Sequence, residues 1–313
     1  MINTVKKHSA LLASMLISTS AAWCDTIRLG TNIWLGYEPL HILFQENSGS
    51  YGVQLESQRY WNATEVTDAL LAGVINAAGL TLDEAIGASQ RLDDLTVVAV
   101  VNQSNGADII CGQGDWEQYS EIRIALENTA LGAYFLSVFL SQYSNISDDV
   151  QIITVFAPVD EHELLFRENG ADLFVTFDPF FTDLNRMGCE RVFDTSQSPE
   201  AIIDVLVIRQ SDFNNPVMRE GLRSFLQEWS SQVDDINSYI NEHGQALARG
   251  LGVAVDELPQ MYDGILIPGR IQNIEFIEGE LPHRSEEMHL WLVGQGIIND
   301  QPLALESTAD FLR

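Results

Sequence analysis

Segments typical of β-strands alternate with segments typical of amphipathic helices along most of the chain. The first four strand-like segments, from Thr26 onward, are TIRLG, GVQLES, VINAAGL and LTVVAVV. Between them, apolar residues recur at intervals of three and four, the spacing of one helix face, in EPLHILFQENSG, NATEVTDALLAG and TLDEAIGASQRL. This alternation predicts an α/β fold in which a mostly parallel sheet carries helices on both faces.

The same alternation resumes further along the chain, which predicts a second unit of the same architecture. Its segments are EIRIAL, NTALGAYFLSVFLSQYSN, VQIITVFAP, VDEHELLFRENG, ADLFVTF and AIIDVLVIRQ. Beyond them the chain reads as helical, with Asn215 as N-cap and Pro216 at the first helical position. A length of 313 residues also suits about two domains.

A polar interruption separates two apolar runs in the stretch VNQSNGADIICG. Asn105, Gly106 and Asp108 break what would otherwise be one strand, and glycine tolerates backbone angles that other residues avoid. The pattern suits a strand that leaves one lobe, passes a hinge and enters a second lobe. An ordinary loop between two strands fits the same residues. The predicted boundaries are residues 23–105 and 210–313 for the first lobe and residues 106–209 for the second.

The N-terminus has the pattern of a cleaved export signal. Lys6 and Lys7 precede the apolar run SALLASMLISTSAA, which ends in small residues. A run of about 14 residues is too short for an uncleaved membrane anchor, which needs about 20. Cys24 raises lipidation as an alternative, but bulky Trp23 stands where such sites need a small residue. The sequence therefore predicts a signal peptide over residues 1–22 and export to the periplasm.

The chain is strongly acidic, with 45 Asp and Glu against 16 Lys and Arg and a formal net charge of −29. Lys6 and Lys7 are its only lysines, so the predicted mature protein has none. Nucleic acids and anionic membranes are bound by Lys and Arg clusters, which this sequence lacks. Salt screens the repulsion between the acids, so we expect a protein adapted to a saline exterior, as in a marine or halophilic bacterium.

Three cysteines allow at most one intramolecular disulfide in an oxidising compartment. Cys111 and Cys189 are the predicted pair, and Cys24 remains unpaired near the N-terminus of the predicted mature chain. Two separately buried thiols are the alternative that the sequence leaves open.

Six stretches carry a family resemblance through their order and spacing. They are IWLGYEPLHILFQE, GLTLDEAIGAS, VVNQSNGADIICG, LFVTFDPFFTDL, IQNIEFI and GIINDQPLALESTADFL. Together they resemble the solute-binding components of bacterial ABC importers in the nitrate, sulfonate, taurine and pyrimidine-precursor group, over nearly the whole predicted mature chain. One departure is Phe177-Asp178-Pro179, where that family commonly has Trp-Glu-Pro.

The resemblance implies a two-lobe periplasmic-binding-protein-like fold of type II, with two crossing strands joining the lobes and a ligand held in the cleft. It also implies a monomeric binding protein without enzymatic activity or cofactor. Its partners would be a small-molecule ligand and the membrane permease of an ABC importer. Closure around the ligand would create the surface by which the permease distinguishes the loaded from the empty form.

Polar and aromatic side chains follow the predicted strands where helices begin, the usual ligand crevice of open α/β sheets. Helix N-termini attract anionic groups such as sulfonate, whereas aromatic faces and carboxylates attract ammonium groups. A taurine-like zwitterion or a cationic amine would therefore suit the cleft. The predicted ligand-binding residues are Asn32, Trp34, Tyr37, Trp61, Thr81, Asp83, Glu84, Asn105, Asp108, Asn128, Thr129, Phe177 and Asp178.

Several of these residues also have a purely structural interpretation. Trp34 and Tyr37 can simply cover the sheet. Thr81 and Glu84 fit a capping box, in which two side chains bind free backbone amides at a helix start. Asp108 can likewise bind backbone amides at the hinge.

Other functional classes find less support in the sequence. Related pyrimidine-making enzymes hold pyridoxal on a lysine, and the predicted mature chain has no lysine for that Schiff base. The serine-hydrolase pattern G-x-S-x-G is absent. DEHE at residues 160–163 and EEMH at residues 286–289 lack a second histidine at helical spacing for a metal. A sensor that presents its solute to a membrane receptor, and a pyrimidine precursor as ligand, both stay open as alternatives.

Overall fold

The computed structural model describes residues 25–143, 150–198 and 201–313. The predicted signal peptide, Trp23 and Cys24 lie outside the described residues. The strands of the described residues are β1 (Thr26–Asn32), β2 (Gln54–Tyr60), β3 (Ala77–Thr81), β4 (Leu95–Ser104), β5 (Asp108–Gly112), β6 (Glu121–Leu126), β7 (Gln151–Phe156), β8 (Leu173–Phe177), β9 (Glu190–Asp194), β10 (Ile203–Arg209), β11 (Ile265–Leu266) and β12 (Glu306–Ser307).

The helices of the described residues are α1 (Glu38–Glu46), α2 (Ala63–Leu71), α3 (Leu82–Ser89), α4 (Ala130–Gln142), α5 (His162–Arg167), α6 (Phe180–Arg186), α7 (Pro216–Gln232), α8 (Ile236–Leu251), α9 (Leu258–Tyr262), α10 (Arg270–Glu278) and α11 (Leu281–Gly294). Short 3₁₀ turns lie at Trp116–Gln118, Val159–Glu161, Thr195–Gln197, Asp212–Asn214 and Val255–Glu257. In this part of the chain, no helix has the length and apolar character needed to cross a bilayer.

Helix starts follow the capping chemistry of the sequence. Asn62 accepts a hydrogen bond from the Glu65 amide at 3.0 Å and caps α2. The Thr81 amide donates to Glu84 Oε2 at 3.2 Å at the start of α3. Asn215 caps α7, with Pro216 in its first turn. Each contact satisfies a backbone or side-chain group that would otherwise be left open at a helix end.

The larger sheet has the strand order β11-β4-β10-β3-β1-β2, with β12 paired to β4. Strand β1 pairs parallel with both β2 and β3, as the strand and helix alternation predicted. Strand β10 pairs antiparallel with β3 and with β4, so the sheet as a whole is mixed. The direction of β10 differs because it arrives from the other lobe and not through a helical crossover on the same sheet.

The smaller sheet has the order β7-β6-β8-β5-β9 and is also mixed. Strand β6 pairs parallel with β7 and β8, whereas β5 pairs antiparallel with β8 and β9. Helices α4 to α6 contribute buried residues to the cores of this sheet, and α1 to α3 and α7 to α11 contribute to the core of the larger one. The molecule therefore has two α/β lobes, as the sequence predicted.

The chain crosses between the lobes twice. The first crossing lies between β4 and β5, where Gly106 has a φ of +121° that side-chain-bearing residues rarely adopt. The second lies between β9 and β10, so β10 belongs to the first lobe although the expected boundary at residue 209 placed it in the second. The two crossings touch, because the hydroxyl oxygens of Ser104 and Thr195 are 2.7 Å apart and the Gly106 amide donates to Thr195 Oγ1 at 2.7 Å.

One apolar core surrounds the larger sheet, and two smaller ones cover the opposite faces of the smaller sheet. Alternate residues of β5 serve the two faces, with Ile110 in one core and Ile109 and Cys111 in the other. Cys111 is joined to Cys189 by a disulfide inside this last core, and both residues are fully buried. The bridge ties β5 to the chain just before β9.

Candidate ligand-binding cleft

A small cavity lies between the two lobes, and we call it the central cavity. Its volume is about 20 Å³, which is room for about one water molecule. Six of the residues predicted from the sequence line it: Asn32, Trp34, Thr81, Glu84, Asp108 and Phe177. The residues selected from the sequence therefore include cavity-lining residues of both lobes.

The sheet registers explain why these residues meet. Thr81 is the last residue of β3 and lies opposite Asp204 of the neighbouring β10. Asp108 is the first residue of β5 and lies opposite Phe177, the last residue of β8. The first lobe thus contributes the pair Thr81 and Asp204 to the interface between the lobes, and the second lobe contributes Asp108 and Phe177. The ends of strands that are separated in sequence become neighbours in the cleft.

An aromatic contact closes the cleft from both sides. The rings of Trp34 in the first lobe and Phe177 in the second have centroids 5.4 Å apart at an interplanar angle of 85°. This edge-to-face arrangement is one of the favoured geometries of aromatic pairs. Both rings are buried, with exposures of 4% and 6%. A ligand in the central cavity would therefore lie against aromatic surfaces of both lobes.

Hydrogen bonds behind the cavity hold Asp204 in place. The Tyr37 hydroxyl donates to Asp204 Oδ1 at 2.6 Å. In one of its two amide orientations, Asn102 donates to Asp204 Oδ2 at 2.9 Å and accepts from Trp34 Nε1 at 3.2 Å. Burial, followed by the charge of Asp204, raises the pKa of Tyr37 well above its ordinary value, so Tyr37 remains a donor. The network fixes the carboxylate and the indole ring together.

Four acidic side chains line the central cavity, two of them from positions that the sequence analysis did not select. They are Glu84, Asp108, Glu127 and Asp204. Among the cavity-lining residues in the described part of the chain, none is Arg, Lys or His. The cavity is therefore an acidic pocket without a built-in countercharge.

Burial in this pocket disfavours the charged forms of the acids. Burial and, to a smaller extent, the charges of Asp83 and Asp178 together raise the pKa of Asp108 to about 7. Burial also raises the pKa of Glu127 to about 7 and the pKa of Asp204 well above its usual range. Oδ2 of Asp108 has no hydrogen-bond partner in the described structure. A cation in the cavity would relieve this cost, because an opposite charge favours the ionised carboxylates.

The remaining predicted residues do not line the central cavity. Asn105 and Asp178 line a larger cavity of about 580 Å³ beside the crossings, which we call the hinge cavity. Asn128 and Thr129 line an open groove with Asp83 between α3 and α4. Their ligand-binding roles stay predictions. Thr129 also caps α4, since its hydroxyl accepts from the Gly132 amide at 3.2 Å.

Two further predicted residues occupy different positions again. Tyr37 lies behind the cavity wall and acts on it through Asp204. Trp61 is 59% exposed at the start of α2 and does not line the central cavity.

Two acids of the cavity, Glu127 and Asp204, were not selected from the sequence. Glu127 directly follows β6, next to the selected Asn128 and Thr129, so it already lay at the predicted strand end. Asp204 stands alone inside the apolar run IIDVLVI. A single acid in a buried strand is costly unless it is hydrogen-bonded or functional, and that signal could have identified it.

The acidic motifs considered for metal binding do not form a metal site in the described structure. No group of three or more His, Cys, Asp and Glu side chains in these residues is arranged to hold a metal. His162 of the DEHE motif is buried, and burial lowers its pKa to about 4.

No protein-family model and no curated protein sequence matches this chain. Solved structures do match. The ligand-binding component of an ABC-type import system from Staphylococcus aureus, with zinc bound, is 15% identical with a TM-score of 0.72, over 90% of this chain and 96% of that one. This chain has the same fold.

Two further binding proteins show the same likeness. The periplasmic nitrate-binding protein NrtA from Synechocystis PCC 6803 is 12% identical with a TM-score of 0.69, over 92% of this chain and 87% of that one. The alkanesulfonate-binding protein SsuA from Xanthomonas axonopodis pv. citri, bound to MOPS, is 13% identical with a TM-score of 0.67, over 92% and 100%. The two-lobe binding-protein fold that the resemblance implied is therefore confirmed.

The same fold also occurs in an enzyme. A cysteine-to-serine variant of DszB in complex with biphenyl-2-sulfinic acid is 12% identical with a TM-score of 0.66, over 92% of this chain and 97% of that one. In the described part of this chain both cysteines are joined in the disulfide between Cys111 and Cys189. The described residues therefore offer no free thiol to the cleft.

Proposed function

We propose that this chain is the exported solute-binding protein of an ABC importer of the nitrate, sulfonate and taurine group. It captures a small nitrogen-containing organic molecule between its lobes and presents it to the membrane permease as a monomer. The shared fold supports this proposal, as does the position of the central cavity at strand ends of both lobes.

The ligand is a cationic amine, or a zwitterion whose ammonium group enters the central cavity. The observation that carries this assignment is the set of four acidic side chains without a cationic residue in the described lining. An anion alone, such as nitrate, would meet only repulsion from these groups once they ionise. An ammonium group gains their charge and the aromatic faces of Trp34 and Phe177 together.

Entry of the ligand requires the lobes to separate, because the cavity between them has room for about one water molecule. The two crossings are the connections about which such a rotation would turn. Gly106 lies in the first crossing, and the contact of Ser104 with Thr195 keeps the crossings adjacent. Binding of the cation would then favour the closed arrangement, because carboxylates of both lobes would contact the same positive charge.

A pyrimidine precursor is the second candidate ligand. The rings of Trp34 and Phe177, one from each lobe, line the cavity with aromatic surface, which suits a planar ring as well as an ammonium group. The two candidates differ in charge, so a ligand screen separates them.

The test is a thermal-shift screen of recombinant residues 23–313. The panel holds aliphatic amines, quaternary amines, taurine, other sulfonates, nitrate and pyrimidine precursors. A micromolar ligand corresponds to about −8 kcal/mol of binding free energy and gives a large shift when present in excess. We expect stabilisation by an amine or a zwitterion. Stabilisation by nitrate or a simple sulfonate alone would overturn the ligand class while leaving the binding role intact.

A further inference from the structure

A second, partly open cavity, which we call the lateral cavity, lies where α11 and the start of α3 meet α4 of the other lobe. Its volume is about 280 Å³, near the lower end of the range for small-molecule sites, at about 300 Å³. Leu82, Ile203 and Met288 contribute apolar walls and are themselves buried. The cavity is thus far larger than the central one and mainly apolar on these sides.

The lateral cavity is separate from the central cavity because neighbouring residues point to different sides. Asp204 lines the central cavity, whereas the preceding residue in β10, Ile203, lines the lateral one. This follows from the alternation of side chains along a strand. At the start of α3, Glu84 lines the central cavity and Asp83 the lateral one. Strand β10 and the first turn of α3 form the partition.

Asp83 contributes a buried acid to the wall of the lateral cavity. The residue is 3% exposed, and its Oδ2 atom has no hydrogen-bond partner in the described structure. Leaving a buried carboxylate oxygen without a donor is costly. Arg284 and Glu287 also line the cavity with opposite charges, so Asp83 gives it a net negative charge. Burial raises the pKa of Asp83 above its ordinary value, and a bound ammonium group would favour the ionised carboxylate.

Two aromatic rings form the opposite wall. Trp291 of α11 and Tyr134 of α4 have ring centroids 4.9 Å apart at an interplanar angle of 79°. Trp291 belongs to the first lobe and Tyr134 to the second, so the wall is complete only when the lobes are together. Tryptophan and tyrosine are the aromatic side chains that bind organic cations best.

We propose that the lateral cavity is a second binding site, for an organic ammonium with an aromatic or aliphatic body. The ammonium group donates to the carboxylate of Asp83, and the body packs against Tyr134, Trp291 and the apolar walls. A neutral or anionic molecule of the same shape offers Asp83 no countercharge and binds more weakly. The bound molecule contacts residues of both lobes, at a place separate from the central cavity.

Calorimetry with phenethylamine as the probe tests this site. The protein is residues 23–313 carrying Asp108→Asn and Glu127→Gln, which removes two acids of the central cavity, so that binding there is weakened. We expect one molecule of phenethylamine to bind per chain. Addition of Asp83→Asn is expected to weaken binding at least about tenfold, the effect of one lost charged hydrogen bond. Phenylacetate and 2-phenylethanol are expected to bind at least about tenfold more weakly than the amine.

Two variants of α11 provide a matched pair. Trp291→Ala removes part of the aromatic wall and is expected to weaken binding about fivefold or more. Leu290→Ala changes the neighbouring residue, which is 61% exposed, and is expected to keep the affinity. Circular dichroism checks that each variant is folded. Equal affinity of the amine for the Asp83→Asn protein and its parent, or no binding of phenethylamine below about 10 mM, would overturn the site.

Discussion

The Tyr37 hydroxyl donates to Asp204 Oδ1 at 2.6 Å and thereby joins the loop after β1 to β10, 167 residues further along the chain. Both side chains are buried, and Asp204 lines the central cavity. The carboxylate of Asp204 therefore stabilises the first lobe through this bond and also forms part of the cavity wall.

Replacement of Tyr37 by phenylalanine tests this link. We expect Tyr37→Phe to lower the free energy of unfolding by about 1–3 kcal/mol, because Asp204 loses a donor while remaining buried. Urea denaturation measures the change. Tyr119→Phe is the control, since Tyr119 is 40% exposed, and its unfolding free energy is expected to stay within about 0.5 kcal/mol of the parent. An equal loss of unfolding free energy in both variants would show that the bond to Asp204 does not stabilise the protein more than an exposed tyrosine hydroxyl does.

The pKa values of the cavity acids predict a pH dependence of ligand affinity. Burial raises the pKa of Asp108 and of Glu127 to about 7, and a bound cation favours their ionised forms. Cation binding therefore releases protons near neutral pH, and affinity rises with pH. Between pH 6 and pH 8 we expect about tenfold tighter binding for each carboxylate that contacts the cation. Calorimetry at both pH values, in buffers of different ionisation enthalpy, measures the affinity and the protons released; affinity that falls with pH would contradict the assignment.

The disulfide predicts a stability difference and a thiol count. Cys111 and Cys189 close a loop of 78 residues, so replacing both by serine is expected to cost about 2–4 kcal/mol in urea denaturation. Cys24→Ser is the matched control and is expected to leave stability unchanged. Thiol titration of denatured, unreduced residues 23–313 is expected to find one free thiol per chain. Three free thiols would show that the bridge does not form.

The net charge of −29 predicts salt-dependent stability. Repulsion among the acids weakens as the screening length falls from about 10 Å at 0.1 M salt to about 3 Å at 1 M. We expect the melting temperature to rise by several degrees between low and molar NaCl, and to rise less at pH 4, where many acids are protonated. A melting temperature that does not respond to NaCl would contradict adaptation to a saline exterior.

The sequence predicted the lobes well because apolar periodicity and polar interruptions are local signals. Gly106 marked the first crossing, and the structure places a positive φ at that residue. The boundary predicted at residue 209 lies after β10, whereas the second crossing lies before it. The segment AIIDVLVIRQ is mostly apolar, and periodicity alone does not show which sheet receives a strand. Strand β9 was missed, since its polar residues Glu190 and Arg191 lie exposed at the sheet edge.

The site was harder to predict at the level of single residues. Phe177 and Asp178 are adjacent, yet Phe177 lines the central cavity and Asp178 lines the hinge cavity. Asp83 lines the lateral cavity and Glu84 the central one, although both also line the groove between α3 and α4. Strand ends locate a cleft in the sequence, but the direction of each side chain depends on pleat, helix phase and lobe orientation. These are properties of the assembled fold and not of the local sequence.

Binding of a cation by the acids of the central cavity is tested most directly by calorimetry with the amine that the screen selects. Relative to unaltered residues 23–313, the Asp108→Asn, Glu127→Gln protein is expected to bind at least about a hundredfold more weakly. The Asp178→Asn protein, changed in the hinge cavity, is expected to lose much less affinity, because Asp178 acts on Asp108 only through its charge. Unchanged affinity in the double variant, with the loss appearing instead in Asp178→Asn, would contradict a cation site between Trp34 and Phe177.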